Sequence, residues 1–429
     1  MGFEIKNGVL TKYKDEVGVT DIVIPAGVVS IDENAFSNRW GIKSITIPEG
    51  VKEIGKWAFR NCKKLTQINI PKSIERIGPD AFYGTKLIEN LRKQAYQDYL
   101  DNKVDVLYCR TIIIDSALIE VKLPMYGSTI GNVYKREEVV FKVPEHITCI
   151  ADNAFYDMES RETPKVISIE LPNGLKRIGY SSFYKCKSLT HIDIPEGVTS
   201  IHYHAFEGCE KLASVKLPSS LTEIRRQAFL GCKMLKSIEL PQRLEVIGEW
   251  AFSGCAKLRS VDIPDSVVCI DSSAFIGCKM LKNVNVNRDI PFIFADSFDG
   301  TKWIEDMKKK SDFVVLGKTL LCSSQPVTGD LVIPEGVTVI AGRSFLGAKI
   351  TSLTIPEGVT TICDQAFQDC EKITELKLPS TLRKIGTSVF LRCNNVSKLV
   401  LADNPYLELK DNQLYKKDSR RVKILTLKK

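Results

Sequence analysis

The sequence predicts a solenoid, a fold in which short repeated coils stack on one another. Three observations predict it: a proline recurs mostly every 23 residues, a phenylalanine recurs in register with it, and each repeat is too short to enclose its own apolar residues. The chain has 429 residues, of which 44% are hydrophobic and 26% charged, and this composition excludes wholesale disorder and collagen. We therefore expect one repeated architecture rather than several unrelated globules.

The repeat is defined by its prolines, each counted as position 0 of a coil. They are Pro25, Pro48, Pro71, Pro144, Pro172, Pro195, Pro218, Pro241, Pro264, Pro334, Pro356 and Pro379, with Asn287 and Ala402 in the same place, which gives about 14 coils. Apolar residues recur at +3, +6, +10, +11, +17, +20 and +22. Position +11 holds 13 of the 18 phenylalanines: Phe36, Phe59, Phe82, Phe155, Phe183, Phe206, Phe229, Phe252, Phe275, Phe298, Phe345, Phe367 and Phe390.

Each coil has two segments suited to strands. Positions +17 to +22, as in Leu189–Ile194, end in a β-branched, alternating pattern that predicts a short strand pairing in parallel with its copies. The proline that follows cannot donate a ladder hydrogen bond and therefore ends the strand. Positions +3 to +6, as in Val198–Ile201, favour a second short strand, and Ala-Phe-x-Gly-Cys favours a tight turn or one helical turn.

Two interruptions of the repeat share one template. Phe82–Glu89 and Phe298–Glu305 both lack the cysteine common at +14 and run into polar, helix-favouring sequence. After the first, apolar residues recur every four positions, as on one helix face packed against a solenoid, at Leu87, Leu91, Ala95 and Tyr99. The interruptions therefore predict two helical insertions.

An extended segment follows each interruption. These segments, Val104–Tyr108 and Phe313–Lys318, resemble the chain start at Phe3–Leu10, which has the pattern of a hairpin. The chain thus has three blocks, 1–103, 104–312 and 313–429. Because the apolar columns resume in the same order and no Ser/Gly-rich linker intervenes, we expect a single continuous repeat solenoid over 1–429, with hinged domains as the alternative. The first hairpin and Leu407–Tyr415 are expected to cover the two ends of the core.

Several columns occur together in Ile194–Ile201, IPEGVTSI, followed by Ala205-Phe206-x-Gly208-Cys209-x-x-Leu212. This stretch resembles the BspA-like branch of the leucine-rich repeat family, whose repeat is also 23 residues long. The resemblance covers nearly the whole chain. It implies a leucine-rich repeat solenoid: a curved, right-handed, β-rich coil stack with a parallel sheet on one face and short second strands or turns on the other. It also implies an adhesion or interaction protein displayed on the surface of anaerobic bacteria.

The cysteines form another column. Position +14 holds Cys62, Cys186, Cys209, Cys232, Cys255, Cys278, Cys370 and Cys393. Stacked copies lie about 5 Å apart, near disulfide distance, but the side chains of a parallel ladder point the same way rather than at one another. We therefore expect reduced, buried thiols. Since no Cys-x-x-Cys spacing occurs, the sequence predicts no zinc site.

The histidines and the known catalytic motifs give no enzyme site. His202 and His204, with His191 one coil earlier, are candidate metal ligands, but their loop position favours exposed surface residues. His146 and Cys149 are spaced like a base and a nucleophile, yet no orienting group or oxyanion motif accompanies them. Phosphate-loop, dinucleotide, zinc-protease, serine-hydrolase and calcium-loop motifs are absent from the sequence. We therefore predict no catalytic, cofactor-binding or metal-binding residue and no cofactor.

Strand alternation sends positions +19 and +21 outward and defines the candidate partner-binding surface, here called the sheet face. Its predicted residues are His191, Asp193, Ser214, Lys216, Ser237, Glu239, Ser260, Asp262, Asn283 and Asn285. In leucine-rich repeat proteins this face is generally concave and often binds protein. Here it is polar and small and lacks the aromatic anchors of binding hot spots, so a merely solvated sheet is the alternative.

A row of lysines follows the cysteine column and is called the basic edge. It comprises Lys63, Lys64, Lys187, Lys211, Lys233, Lys257, Lys279 and Lys372. The row would attract an anionic glycan or an acidic partner, or it prevents edge association by charge repulsion. Glu210 and Glu371 interrupt it, no aromatic residues interleave, and the net charge is only +8, so no nucleic acid partner is expected.

These observations predict a non-enzymatic scaffold for protein–protein or adhesion-type interaction, with a host or bacterial protein or a glycan as the partner and a monomer as the state. The alternatives are a structural spacer or envelope component without a specific ligand, and an enzyme with a pocket at the insertions near 84–103 or 128–138. The resemblance implies the cell surface or secretion. The sequence as written shows no signal-peptide pattern and no membrane-spanning run, which favours the cytoplasm.

Overall fold

The computed structural model describes residues 2–101, 111–121, 138–156, 165–417 and 423–428, without the side chain of Tyr99. The chain divides into two compact units, Met1–Pro241 (unit 1) and Gln242–Lys429 (unit 2). This division falls at a repeat proline and not at a predicted block junction. Each unit is a stack of coils with parallel sheets, so the predicted solenoid is confirmed. That the two units form one continuous solenoid stays a prediction.

Unit 1 has two kinds of parallel strand. The strands of the sheet face are Asp21–Val23, Ser44–Thr46 and Gln67–Ile68 in one sheet, and Glu138–Lys142, Lys165–Glu170, His191–Asp193 and Ser214–Lys216 in another. The second strands are only two residues long: Ser30–Ile31, Glu53–Ile54, Arg76–Ile77, Cys149–Ile150, Arg177–Ile178, Ser200–Ile201 and Glu223–Ile224. Pairing joins each residue to its copy 23 positions on, as His191 to Ser214, so side-chain columns stay in register.

Unit 2 repeats this arrangement. Its sheet-face strands are Ser260–Ile263 and Asn283–Val286, then Thr328–Val332, Lys349–Thr354, Glu375–Leu378 and Lys398–Leu401. Its second strands are Val246–Ile247, Cys269–Ile270, Phe292–Ile293, Val339–Ile340, Thr361–Ile362 and Lys384–Ile385.

Four hairpins begin or end the blocks. They are Phe3–Lys6 with Val9–Tyr13, Thr111–Ile114 with Ala117–Val121, Phe313–Leu316 with Thr319–Ser323, and Leu407–Lys410 with Gln413–Lys416, the last extended by Lys423–Thr426. The predicted segment 104–108 lies outside the described residues. The hairpin of that block is instead set by its turn, where Asp115 takes a positive φ of 48° as Asn7 does at 50°.

The hairpins explain why counting prolines gives too few turns. The second strands of the first three hairpins pair in parallel with the first coil of their block, as Leu10 does with Ile31 and Leu118 with Ile150. Each therefore occupies a coil position that no proline marks. Over the described residues there are about 16 turns, against the 14 predicted.

The two predicted helical insertions are confirmed as α1 (Lys86–Leu100) and α2 (Lys302–Lys310), the second preceded by a 3₁₀ turn at Ala295–Phe298. Each helix begins at a buried threonine whose hydroxyl accepts from a backbone N–H of the first turn: Thr85 from Ile88 and Thr301 from Ile304. In α1, Leu87 and Leu91 pack against the core as predicted, and Ile88 is more deeply buried than either.

The Ala-Phe-x-Gly-Cys segment forms a tight turn rather than a helical one. Positions +9 and +13 are left-handed, as at His204 (φ 58°) and Gly208 (φ 72°). Because the backbone alternates in this way, the N–H groups of His204, Phe206 and Gly208 all donate to carbonyls of the next coil, over 2.8–3.2 Å. The turn is therefore a third ladder of hydrogen bonds between coils.

The core lies between these three ladders. The 13 phenylalanines at +11 are all buried, with at most 3% of their surface exposed. Within unit 1, Phe206 stacks between Phe183 and Phe229, with ring centroids 5.0 and 5.2 Å apart. Within unit 2, Phe275 stacks on Phe252 at 5.2 Å. The predicted columns thus merge into a shared interior in each unit.

Candidate functional site

The sheet face is placed as predicted. Of its ten candidate residues, nine are exposed and Ser260 is half-buried. Ser237 and Glu239 lie outside any strand, so the face is not one unbroken sheet. In unit 2, the Asn285 amide donates to Asp262 across 2.6 Å, which links two neighbouring coils. The face offers charged and amide groups but no large aromatic side chain among these positions.

The basic edge is exposed at all eight lysines. Lys233 pairs with Glu210 of the preceding coil at 3.0 Å, and the ammonium of Lys63 lies 5.4 Å from the ring centroid of Trp40. Part of the positive charge is therefore compensated or held over an aromatic ring.

The cysteine column is buried, and the described cysteines carry free thiols, as expected. Within unit 1, the thiols of Cys62 and Cys209 donate to the phenylalanine carbonyl of the preceding coil, each over 3.1 Å. Desolvation raises the pKa of Cys62 to about 12 and that of Cys149 to about 12 as well. An activated nucleophile needs a lowered thiol pKa, so the raised pKa of Cys149 does not favour a nucleophile at the His146–Cys149 spacing.

An exposed aromatic edge, which sequence reasoning missed, lies on the first coils of unit 1. It comprises Trp40 and Tyr83, which are 59% and 55% exposed, and the half-buried Trp57 between them in sequence. Lys56 lies 3.7 Å from the ring centroid of Trp57, and the Arg60 guanidinium lies between Trp57 and Tyr83, at 5.0 and 6.0 Å. These cation–π pairs hold the rings at the surface. The sequence does hold one sign of this edge: Trp40 occupies position +15 of its coil, the position that Lys63 occupies in the next coil.

The prediction that His202 is an exposed surface residue is wrong. His202 is 9% exposed and sits at +7, where Gly55, Gly78 and Gly179 stand in other coils of unit 1. Its Nε2 atom accepts a hydrogen bond of 2.9 Å from the Arg177 guanidinium. Since a guanidinium only donates, the ring is neutral and its proton lies on Nδ1. Burial and the nearby guanidinium of Arg177 lower the pKa of His202 to about 3.

Around His202 lies a group of cationic and aromatic side chains, here called the Tyr180 cluster: Arg76, Arg177, Tyr180, His202, Tyr203 and Arg225. Arg76 lies 4.4 Å from the Tyr180 ring centroid and bridges 3.0 Å to the buried Asp152. Desolvation raises the pKa of Asp152, while Arg76 opposes that shift. Arg225 pairs with Glu223 at 2.5 Å. The cluster therefore joins coils from both sides of the first insertion.

Two cavities of unit 1 lie near this cluster. One, of about 320 Å³, is lined by Lys72, Glu75, Lys176, Arg177, Ser200 and His202 among others. The other, of about 280 Å³, lies beside the first insertion and is lined by Tyr83, Ile88, Arg92 and Asp152 among others. No group of three or more potential metal ligands occurs among the described residues, and none of the described helices is long and apolar enough to cross a membrane. Residues 128–137 of the second predicted pocket lie outside the described part of the chain.

Comparison with known proteins identifies the repeat. The sequence matches the family described as BspA type leucine-rich repeat region (six copies) over residues 11–103, 134–233, 199–328 and 322–426. A leucine-rich repeat protein from Bacteroides ovatus is 24% identical, with 92% of this chain and 91% of that chain covered and a TM-score of 0.38. A leucine-rich cell surface protein from Faecalibacterium prausnitzii is 21% identical, with the same coverage of 92% and 91% and a TM-score of 0.28.

A leucine-rich repeat protein from Eubacterium ventriosum is 17% identical over 68% of this chain and 88% of that chain, with a TM-score of 0.36. No curated protein sequence matches the chain significantly. The family match spans most of the chain and rests on the same recurrent columns that form the core. The chain therefore belongs to the BspA-type leucine-rich repeat family, a family of repeat scaffolds.

Proposed function

We propose that the chain is a non-enzymatic scaffold that binds a protein or a glycan, and that it does so at the cell surface. One observation carries the proposal: the recurrent positions are buried and serve the core, whereas the residues that vary from coil to coil lie on exposed faces. A repeat array of this kind keeps its fold while its outer side chains change, which suits a recognition surface. No catalytic role is proposed for any residue.

The sheet face is the proposed contact surface. His191 and Asp193 in unit 1, and Asp262 and Asn285 in unit 2, are exposed on strands held by the ladder, so their positions are fixed before a partner arrives. Preorganised polar groups of both signs favour orientation and specificity more than affinity. The aromatic edge offers the anchors that the sheet face lacks, so it is the comparison surface in the test.

The test begins with a pull-down from host mucus and bacterial lysate, followed by titration of the purified partner against three proteins. The first is the wild type, the second reverses the charges at Asp193, Glu239 and Asp262, and the third replaces Trp40 and Tyr83 by alanine. We expect saturable binding at micromolar concentration or tighter, lost in the charge-reversed variant and kept in the aromatic one. If only the aromatic variant loses binding, the contact surface is the aromatic edge and not the sheet face.

Absence of any saturable partner contradicts the scaffold proposal and favours a structural spacer. Circular dichroism and thermal unfolding of both variants serve as the folding control, since all the substituted side chains are exposed. Fractionation of the native source, with the chain followed by antibody, tests the proposed location: recovery with the envelope supports the cell surface, and recovery with the cytosol contradicts it.

A further inference from the structure

The cavity of about 320 Å³ beside the Tyr180 cluster is lined almost entirely by polar groups. Lys72, Ser73 and Glu75 come from a coil before the first insertion, whereas Lys176, Arg177, Thr199, Ser200 and His202 come from two coils after it. Its volume is in the range of small-molecule sites and well above that of a single water molecule. The cavity is therefore large enough to hold a charged group together with a small polar carrier.

Two side chains at this cavity, the half-buried Arg177 and the buried His202, have buried hydrogen-bond donors without partners. The Nε and Nη2 atoms of Arg177 and the Nδ1 atom of His202 are buried and make no hydrogen bond among the described residues. His202 is 9% exposed, and its Nδ1 carries the ring proton because Nε2 accepts from Arg177. Because these donors are buried out of contact with the cavity, Arg177 acts on a bound group through its positive charge and not through these N–H groups.

The charge balance points to an anion. Arg76 pairs with Asp152 and Glu53, and Arg225 pairs with Glu223, but Arg177 makes no ion pair within the described ranges. Lys72 and Lys176, exposed at the mouth of the cavity, likewise have no ion pair there. Glu75, the one acidic lining residue, is matched by Lys52 at 3.1 Å. Arg177, Lys72 and Lys176 thus bring three positive charges to the cavity, and none of the three forms an ion pair with a described carboxylate.

From these contacts we infer that the cavity is an oxyanion-binding site, in which the positive charges of Lys72, Lys176 and Arg177 attract a carboxylate, sulfate or phosphate group. The hydroxyl groups of Ser73, Thr199 and Ser200 line the same space and suit a hydroxylated carrier such as an acidic sugar. This site is separate from the sheet face, so it stands or fails independently of the proposed scaffold function.

The test is calorimetric titration of the full chain with sodium sulfate, glucuronate, glucose 6-phosphate and, as the uncharged control, glucose, at constant ionic strength. We expect saturable binding of the oxyanions with one site per chain and none of glucose. Arg177→Gln is expected to weaken binding by about tenfold to a hundredfold, because it removes one of the three positive charges around the cavity. Lys384→Gln is the matched control, since Lys384 holds the same +5 position in unit 2, and it leaves binding unchanged.

Two further readouts separate binding from folding. Sulfate should raise the thermal midpoint of the wild type but not that of Arg177→Gln, and it should shift the His202 Nδ1 resonance in nitrogen-detected spectra. Tighter binding of glucuronate or glucose 6-phosphate than of sulfate identifies a sugar-borne group, and equal binding identifies the bare anion. Absence of oxyanion binding up to about 10 mM, or binding that Arg177→Gln leaves unchanged while its fold is intact, overturns the inference.

Discussion

Replacing Phe206 by alanine tests whether neighbouring coils share one interior. The ring is fully buried and lies 5.0 Å from Phe183 and 5.2 Å from Phe229, tilted by only 10° and 3° from the two neighbouring rings. Truncating a buried phenylalanine costs about 3–5 kcal/mol, and two lost ring pairs at about 1 kcal/mol each place this site at the upper end, near 5 kcal/mol. Phe206→Leu, which keeps most of the volume, should lose about 2 kcal/mol.

The assay is native-state hydrogen exchange on the full chain, because a stack of coils need not unfold in a single step. A loss of about 4–5 kcal/mol corresponds to roughly 10³-fold faster exchange for amides of the coils holding Phe183, Phe206 and Phe229. Tyr83→Ala is the control, because its ring is 55% exposed, and we expect a change below about 1 kcal/mol. If Phe206→Ala and Tyr83→Ala changed exchange equally, the shared core would be refuted.

Three more predictions concern backbone, protonation and thiols. Gly55→Ala should destabilise by more than about 1 kcal/mol in urea unfolding, because its Cβ would lie 2.6 Å from the Glu33 nitrogen, whereas Gly41→Ala, with nothing within 4 Å, should be neutral or stabilising. The pKa of His202 is about 3 in the folded chain and 6.5 in the unfolded chain, so only the unfolded chain gains a proton as the pH falls below 6.5. Urea unfolding should therefore show a free energy of unfolding about 2 kcal/mol lower at pH 5 than at pH 8, and His202→Gln should remove that difference. In a Cys109→Ser variant, an alkylating reagent at pH 8 should label Cys322 before Cys209, because Cys209 is fully buried. All thiols should react only in denaturant, and equal labelling of Cys322 and Cys209 in the native protein would contradict this prediction.

The repeated part of the fold is predictable because each coil packs on copies of itself. Once the period is known, the column at +11 must be buried and +19 must be exposed, as Phe206 and Ser214 show. The helix starts are predictable for the same reason, since Thr85 and Thr301 stand at equal places in one template. The hairpin at Thr111–Val121 was not placed, because a left-handed residue at Asp115 sets it rather than an apolar column.

The Tyr180 cluster could not be predicted from the period, since it depends on contacts between residues that the period does not relate. Arg76 and Asp152 are 76 residues apart, with the first insertion between them. Position +7, which holds His202, gives no warning, because it varies from coil to coil, with Gly179 before His202 and Arg225 after it. In a repeat protein, a cluster of this kind is therefore found from contacts between different positions and not from a single column.

The same reasoning says where chemistry can arise in a stack of near-identical layers. Identical charges at one position lie about 5 Å apart and repel, so a run of copies cannot converge on one ligand. Convergence requires that different positions meet, which here happens where the first insertion brings Lys72 close to Lys176 and Arg177. A half-buried guanidinium without a counter-ion lowers stability, and a glutamine or methionine at position 177 would avoid that loss. The arrangement therefore makes physical sense when an anion completes it, and Arg177→Gln should leave the anion-free protein at least as stable as the wild type in urea unfolding.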